Sequence, residues 1–155
     1  TEAAEWDEAM AGNLRTAFLA ARAALPLLAK GEQAAMVQIV SGLAAFTRPG
    51  YAPYAAAKAA MISLTKTLAL EAAPAIRVNA VGPAAVDTAF LRGGTGRSNE
   101  DRTPHVDIAA YTASIPLKRF ALPNDVVGPV MFLLGADSGY MTGQVLWVNG
   151  GQFMP

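Results

Sequence analysis

The stretch Met36-Val37-Gln38-Ile39-Val40-Ser41-Gly42-Leu43-Ala44-Ala45-Phe46-Thr47-Arg48-Pro49-Gly50-Tyr51-Ala52-Pro53-Tyr54-Ala55-Ala56-Ala57-Lys58 runs from a β-prone segment through a turn into a helix. Met36–Val40 is short, apolar and β-branched, as a buried parallel strand requires. Pro53 opens a helix to about Ala72, with Met61, Leu64, Leu68 and Leu70 on its apolar side, and Pro74 ends it. Tyr54 and Lys58 are one helical turn apart and share a face. A cation beside a phenol favours the phenolate and lowers its pKa. A tyrosine, ordinarily titrating near pH 10, then becomes a usable proton donor and acceptor near neutrality. Ser41, thirteen positions before Tyr54, would bring a hydroxyl from the neighbouring loop to a substrate carbonyl or alcohol.

Outward from this stretch the pattern repeats. Trp6, Met10, Leu14, Phe18, Ala21, Leu25 and Leu28 recur at helical spacing, which predicts a helix over residues 3–30, bent at Pro26. Ile76–Val81 reads as a second strand and Gln144–Val148 as a third. Pro123-Asn124-Asp125 starts a helix through about Leu134, its first turns distorted by Gly128-Pro129. Residues 89–115 read as loop, with a Gly/Ser/Asn/Asp-rich centre from Gly93 to Asp101. Strand–helix–strand followed by helix–strand is half of a doubly wound α/β domain, a parallel sheet flanked by helices. Residues 1–155 are read as one domain. Ligands bind such sheets outside the carboxyl ends of the strands. Ser41 follows the first strand and Pro83–Thr88 follow the second, so the chemically capable residues gather at that edge.

Hydrophobic residues make up 53% of the 155 residues and charged residues 15%, the composition of a well-buried globular chain. Lysine plus arginine and aspartate plus glutamate are each 12, so no basic field attracts nucleic acid or an anionic membrane. With no cysteine and one histidine, His105, a disulfide framework, a thiol nucleophile and a multi-histidine metal site are excluded. Thr1–Glu8 is acidic rather than signal-like, and the apolar runs are too short to span a bilayer. A soluble, cytoplasmic protein is the expectation.

In order along the chain, Asn13 in the first helix, Ser41, Tyr54-x-x-x-Lys58, Ala75–Pro83, Val86, Thr88, Ile115–Phe120, Thr142–Val145 and Val148–Gly151 resemble the short-chain dehydrogenase/reductase family. A Tyr-x-x-x-Lys pair alone is weak, since its bland reading is a solvated helix face. Ser41 alone could be a turn hydroxyl, and Thr88 alone a helix cap. The matches in series outweigh these readings. The resemblance implies a Rossmann-type fold and an NAD- or NADP-dependent oxidoreductase interconverting a small-molecule carbonyl and alcohol. It implies Tyr54 as general acid/base, Lys58 beside it on the nicotinamide ribose, Ser41 on the substrate oxygen and Asn13 holding a water that links Lys58 to solvent. Pro83, Ala84, Val86 and Thr88, with Tyr54 and Lys58, would contact the cofactor; Leu43 and Phe90, with Ser41 and Tyr54, the substrate. Phe90, Leu91 and Tyr111 are candidates for apolar lining. A homo-oligomer, dimer or tetramer, through helices 3–30 and 53–72 is implied as well.

The departures are informative. Ala84 stands where the family has glycine, which would restrict the turn if φ there is positive. Asn149 replaces the commoner aspartate, with little expected consequence. The family's glycine-rich pyrophosphate turn and the residue that reads the ribose have no counterpart, so the chain reads as the C-terminal portion of such a domain. The stretch Gly93-Gly94-Thr95-Gly96-Arg97 lacks the context of a phosphate loop and reads as a mobile loop; the resemblance implies that this region covers the substrate. No Gly-x-Ser-x-Gly elbow surrounds Ser41, which disfavours a serine hydrolase. Two readings follow: an oxidoreductase, or a fragment or interaction module that cannot bind the dinucleotide by itself.

Overall fold

Three parallel strands stand in spatial order β1 (Ala34–Ile39), β2 (Ile76–Pro83), β3 (Val145–Val148) at the centre of the computed structural model, which describes residues 1–92 and 107–154. β2 is central, and seven of its eight residues are buried, as expected of a strand covered on both faces. Ile76 and Val78 pack with Leu68, Ala69 and Ala21, and Ala80 packs with Met61 and Val40. These contacts place α2 (Thr16–Leu28) and α3 (Ala52–Ala72) over one face of the sheet.

The alternate positions of β2 meet α5 (Pro123–Leu134) and the turns that follow it. Here the strand carries polar side chains with defined partners. Arg77 Nη1 donates to the carbonyls of Leu133 and Ser138, both at 3.0 Å, and Nη2 to Gly135 at 3.1 Å. The last carbonyls of a helix have no partner within it, and a cation there also meets the negative end of the helix dipole. Asn79 donates to the Met141 carbonyl at 2.8 Å and accepts from Gln144 N–H at 2.9 Å. Both groups steer the chain from α5 into β3.

The expected helix over 3–30 ends at Leu28 and is not uniform. α1 (Ala3–Ala9) and α2 are joined through a π-helical turn, Met10–Arg15. A widened turn upsets the ordinary backbone pairing, and two side chains compensate. Asn13 Nδ2 donates to the Ala9 carbonyl at 2.9 Å and Thr16 Oγ1 to the Ala11 carbonyl at 2.9 Å. Pro26 lies inside α2 without ending it. Likewise Pro129 does not interrupt α5, which is helical throughout.

Residues 89–115 are not loop throughout. Ala89–Arg92 is a 3₁₀ turn and Ile108–Ser114 is a helix, α4. Asp107 caps α4 by accepting from Ala110 N–H at 3.0 Å, a start signal hidden by the glycine-rich neighbourhood. Residues 93–106, with the glycine-rich centre and His105, lie outside the described residues. Among those described, no helix is long and apolar enough to cross a membrane.

Candidate active site

β1 delivers Ser41 to the carboxyl edge of the sheet. Val40 N–H still pairs with the Val81 carbonyl at 2.9 Å. Ser41 is then fully extended and caps the 3₁₀ turn Gly42–Ala44, its Oγ accepting from Leu43 N–H at 3.2 Å. That leaves the Ser41 proton free for the Tyr54 phenol, whose pKa Ser41 lowers. Tyr54 lies in the first turn of α3, with Lys58 one turn on.

The electrostatics differ from those expected of the pair. Burial pushes the Tyr54 phenol above its ordinary value, and the Ser41 hydrogen bond opposes that rise. The Lys58 ammonium donates to the Ile39 carbonyl at 3.0 Å and stands 5.6 Å from the Tyr54 ring centroid. Burial lowers the Lys58 pKa, because a charged form is disfavoured away from water.

The segment after β2 is pinned on both sides. Ala84 N–H donates to the Val148 carbonyl at 2.9 Å, and Val86 forms a parallel bridge with Ala121. Ala84 does not adopt positive φ, so alanine is accommodated there without strain. Thr88 follows directly, its hydroxyl in long contact with the Val86 carbonyl at 3.4 Å.

One cavity of about 980 Å³ collects the residues that the sequence offers for catalysis, cofactor and substrate. Asn13, Ser41, Tyr54 and Lys58 line it. So do Pro83, Ala84, Val86 and Thr88 from the end of β2, and Leu43 and Phe90 from the adjoining turns.

The sequence reading did not identify the aromatic wall as such. Phe46 stacks on Phe153 at a centroid distance of 6.0 Å, and Tyr111 on Phe120 at 5.4 Å. Arg48 lies over the rings of Tyr111 and Phe46, at 4.8 and 5.5 Å from their centroids. Tyr111 donates to Gln152 Oε1 at 3.0 Å. Phe153 is held by Asn149, whose amide donates to the Phe153 carbonyl at 2.7 Å and accepts from Gly151 N–H at 2.9 Å. An aspartate could accept but not donate, so Asn149 has a structural consequence that its reading as a neutral replacement missed. Gly42 belongs to the same packing, since a β-carbon there would lie 2.8 Å from Phe153 Cε1. The available signal was the aromatic content of two distant segments, which nothing local joins.

Comparison with known proteins finds relatives of the chain as a whole. The family described as enoyl-(acyl carrier protein) reductase matches residues 1–152. The chain is 37% identical over 149 residues to the 4-formylbenzenesulfonate dehydrogenase of Comamonas testosteroni, covering 96% of this chain and 58% of that protein. It is 33% identical over 148 residues to the 3-oxoacyl-[acyl-carrier-protein] reductase of Thermotoga maritima, covering 95% and 56%. The ligand-free aldohexose dehydrogenase of Thermoplasma acidophilum superposes with a TM-score of 0.85 at 28% identity, covering 98% of this chain and 60% of that one. The chain thus spans less than two thirds of the length of the relatives it matches.

Proposed function

This chain belongs to the short-chain dehydrogenase/reductase family, and on that premise we propose that its cavity serves the NAD- or NADP-dependent interconversion of a carbonyl and an alcohol. The observation that carries this reading is that Ser41, Tyr54 and Lys58 line one cavity together with Pro83, Ala84, Val86 and Thr88. Residues 1–155 are, in this reading, the C-terminal part of a single Rossmann-type domain.

The donor set suits a nicotinamide and a carbonyl oxygen. The hydroxyls of Ser41 and Tyr54 and the ammonium of Lys58 lie among further polar groups in a largely apolar wall, and no carboxylate lines the cavity among the described residues. Pro83, Ala84, Val86 and Thr88 would hold the nicotinamide, and Lys58 its ribose. When bound, the dinucleotide supplies hydride to the carbonyl carbon or accepts it from the alcohol.

In the reductive direction Tyr54 gives its proton to the carbonyl oxygen; in the oxidative direction it takes that proton back. Ser41 donates to the same oxygen and stabilises the charge that develops there. A phenol held high by burial keeps its proton until the oxygen needs it. Lys58 orients Tyr54 from one turn away. Asn13 would hold a water between Lys58 and solvent. Leu43 and Phe90, with the aromatic wall, would hold the substrate against Ser41 and Tyr54.

Self-association through α1–α3 belongs to the same reading. Trp6, Phe18 and Leu27 on the first helices and Leu70 on α3 are exposed, and light scattering of a Phe18→Glu variant would test that contact. The competing reading is a chain that does not bind the dinucleotide by itself. Titration of the purified chain with NADH and NADPH separates the two: micromolar binding rejects the competing reading. Loss of carbonyl-dependent dinucleotide oxidation in Tyr54→Phe tests the proposed chemistry.

A further inference from the structure

Two consecutive residues near the end of the chain, Gln152 and Phe153, line the cavity and grip different parts of its wall. Gln152 holds α4. Its Oε1 accepts from the Tyr111 hydroxyl at 3.0 Å and its Nε2 donates to Ser114 Oγ at 3.3 Å. Ser114 Oγ in turn donates to the Tyr111 carbonyl at 2.7 Å, so both ends of the amide are spent on one helix. Phe153 holds the turn that follows Ser41. Its ring stacks on Phe46 and occupies the space that a β-carbon on Gly42 would need. The Phe46 N–H closes the same turn on the Gly42 carbonyl at 2.9 Å. Among the described residues, α4 depends on such a hold, because it has no buried residue and packs extensively against no other helix or strand. An element with little buried surface is placed by its few directed contacts. Its remaining attachments are Ile115 packed against Gly150 and the Tyr111 ring against Arg48 and Phe120. These contacts cover the Tyr111 and Phe46 rings, so this wall bounds the cavity rather than offering rings for stacking.

Resting on the proposed carbonyl–alcohol chemistry, we propose that Gln152 is a positioning residue that fixes α4 relative to the Ser41 turn and thereby sets the bulk of carbonyl substrate the cavity admits. Gln152 touches α4 and its neighbour Phe153 touches Gly42, the residue after Ser41. The distance between the α4 wall and the Ser41 hydroxyl is therefore set through two adjacent residues of one segment. A carbonyl compound slim beyond its reacting carbon reaches Ser41 and Tyr54 with the wall in place. A bulkier one must displace α4, which costs the two Gln152 hydrogen bonds. Gln152 acts through Tyr111 and Ser114 and has no part in the proton transfer itself.

The test is binding of cyclohexanone and 4-tert-butylcyclohexanone to the natural polypeptide, with both dissociation constants read by saturation-transfer nuclear magnetic resonance. Gln152→Ala is expected to shift the ratio of the two constants about tenfold in favour of the bulkier ketone, the scale on which a pocket discriminates one small apolar group. Tyr111→Phe, which keeps the ring and loses only the hydroxyl, shifts the ratio in the same direction. The double variant shifts it no further than Gln152→Ala alone, because both act through one contact. Gln152→Glu still accepts from Tyr111 but cannot donate to Ser114, and shifts it less. Hydrogen exchange in Gln152→Ala quickens in α4 and stays unchanged in α3, whereas a general loss of structure would quicken both. If Gln152→Ala does not fold, a shifted ratio in Tyr111→Phe still supports the role. An unchanged ratio in either folded variant, binding of neither ketone by the wild type, or quickened exchange in α3 as well overturns it. A polypeptide that shows the shifted ratio but reduces neither ketone with NADH or NADPH supports Gln152 and counts against the reaction, so the two failures are distinct.

Discussion

Lys58 gives its ammonium to the Ile39 carbonyl at 3.0 Å and stands 5.6 Å from the ring centroid of Tyr54, the residue it was expected to ionise. In this arrangement Ser41 draws the Tyr54 phenol down, and burial outweighs it. Ser41→Ala therefore raises the Tyr54 pKa further, whereas Lys58→Met moves it less. Nuclear magnetic resonance of isotope-labelled tyrosine across an alkaline titration reads both shifts. The sign for stability follows from the raised value. The neutral phenol's contribution is fully present below about pH 10, the unfolded value, and is lost as pH rises through the folded pKa.

Arg77 closes the end of α5 by donating to the carbonyls of Leu133, Gly135 and Ser138. Arg77→Met leaves these acceptors without their donor in a largely buried setting. The expected loss is about 2–3 kcal/mol in urea unfolding, within the range for stranded buried polar groups. Arg77→Lys recovers part of it, because one ammonium cannot reach as many carbonyls.

Gly82 is buried in β2 beside β3, and a β-carbon there would run into the Trp147 ring. Gly82→Ala must displace that ring or part the strands. Overpacking of this kind costs about 1–3 kcal/mol. Thermal unfolding followed by tryptophan fluorescence measures the loss and reports the moved indole.

Arg119 and the Leu122 N–H together hold the Asp125 carboxyl down to about 2, with the Arg119 hydrogen bond the larger cause. A depressed carboxylate contributes stability that is present above its unfolded pKa, about 4. That contribution is lost as pH falls towards the folded value of about 2. Asp125→Asn should therefore flatten the acid limb of stability between about pH 4 and 2, read from denaturant midpoints at each pH.

The strand–turn–helix course of Met36–Lys58 was legible because each step has a local cause: β-branched residues, a glycine- and proline-bearing turn, and a proline at the helix start. Ser41, Tyr54, Lys58 and the Pro83–Thr88 segment gather at one cavity because each is fixed to the end of a strand or the start of a helix. Other features needed information that no local pattern holds. The π turn at Asn13 depends on an exchange of carbonyl partners inside an otherwise ordinary amphipathic run. α4 begins at a single capping aspartate beside a glycine-rich segment. The Arg48–Tyr111 and Phe46–Phe153 contacts join segments far apart in sequence. The direction of the Tyr54 shift follows from burial, which is a property of the assembled fold.

The central claim is that Tyr54 moves the proton while hydride is exchanged in this cavity. The most direct measurement is carbonyl-dependent oxidation of NADH and NADPH by the natural polypeptide, wild type against Tyr54→Phe, with dinucleotide binding measured alongside. The account predicts that Tyr54→Phe lowers turnover on the order of 10²–10⁴-fold, the range for losing a general acid/base, while dinucleotide affinity stays close to the wild type. Near-normal turnover by a folded Tyr54→Phe would contradict it.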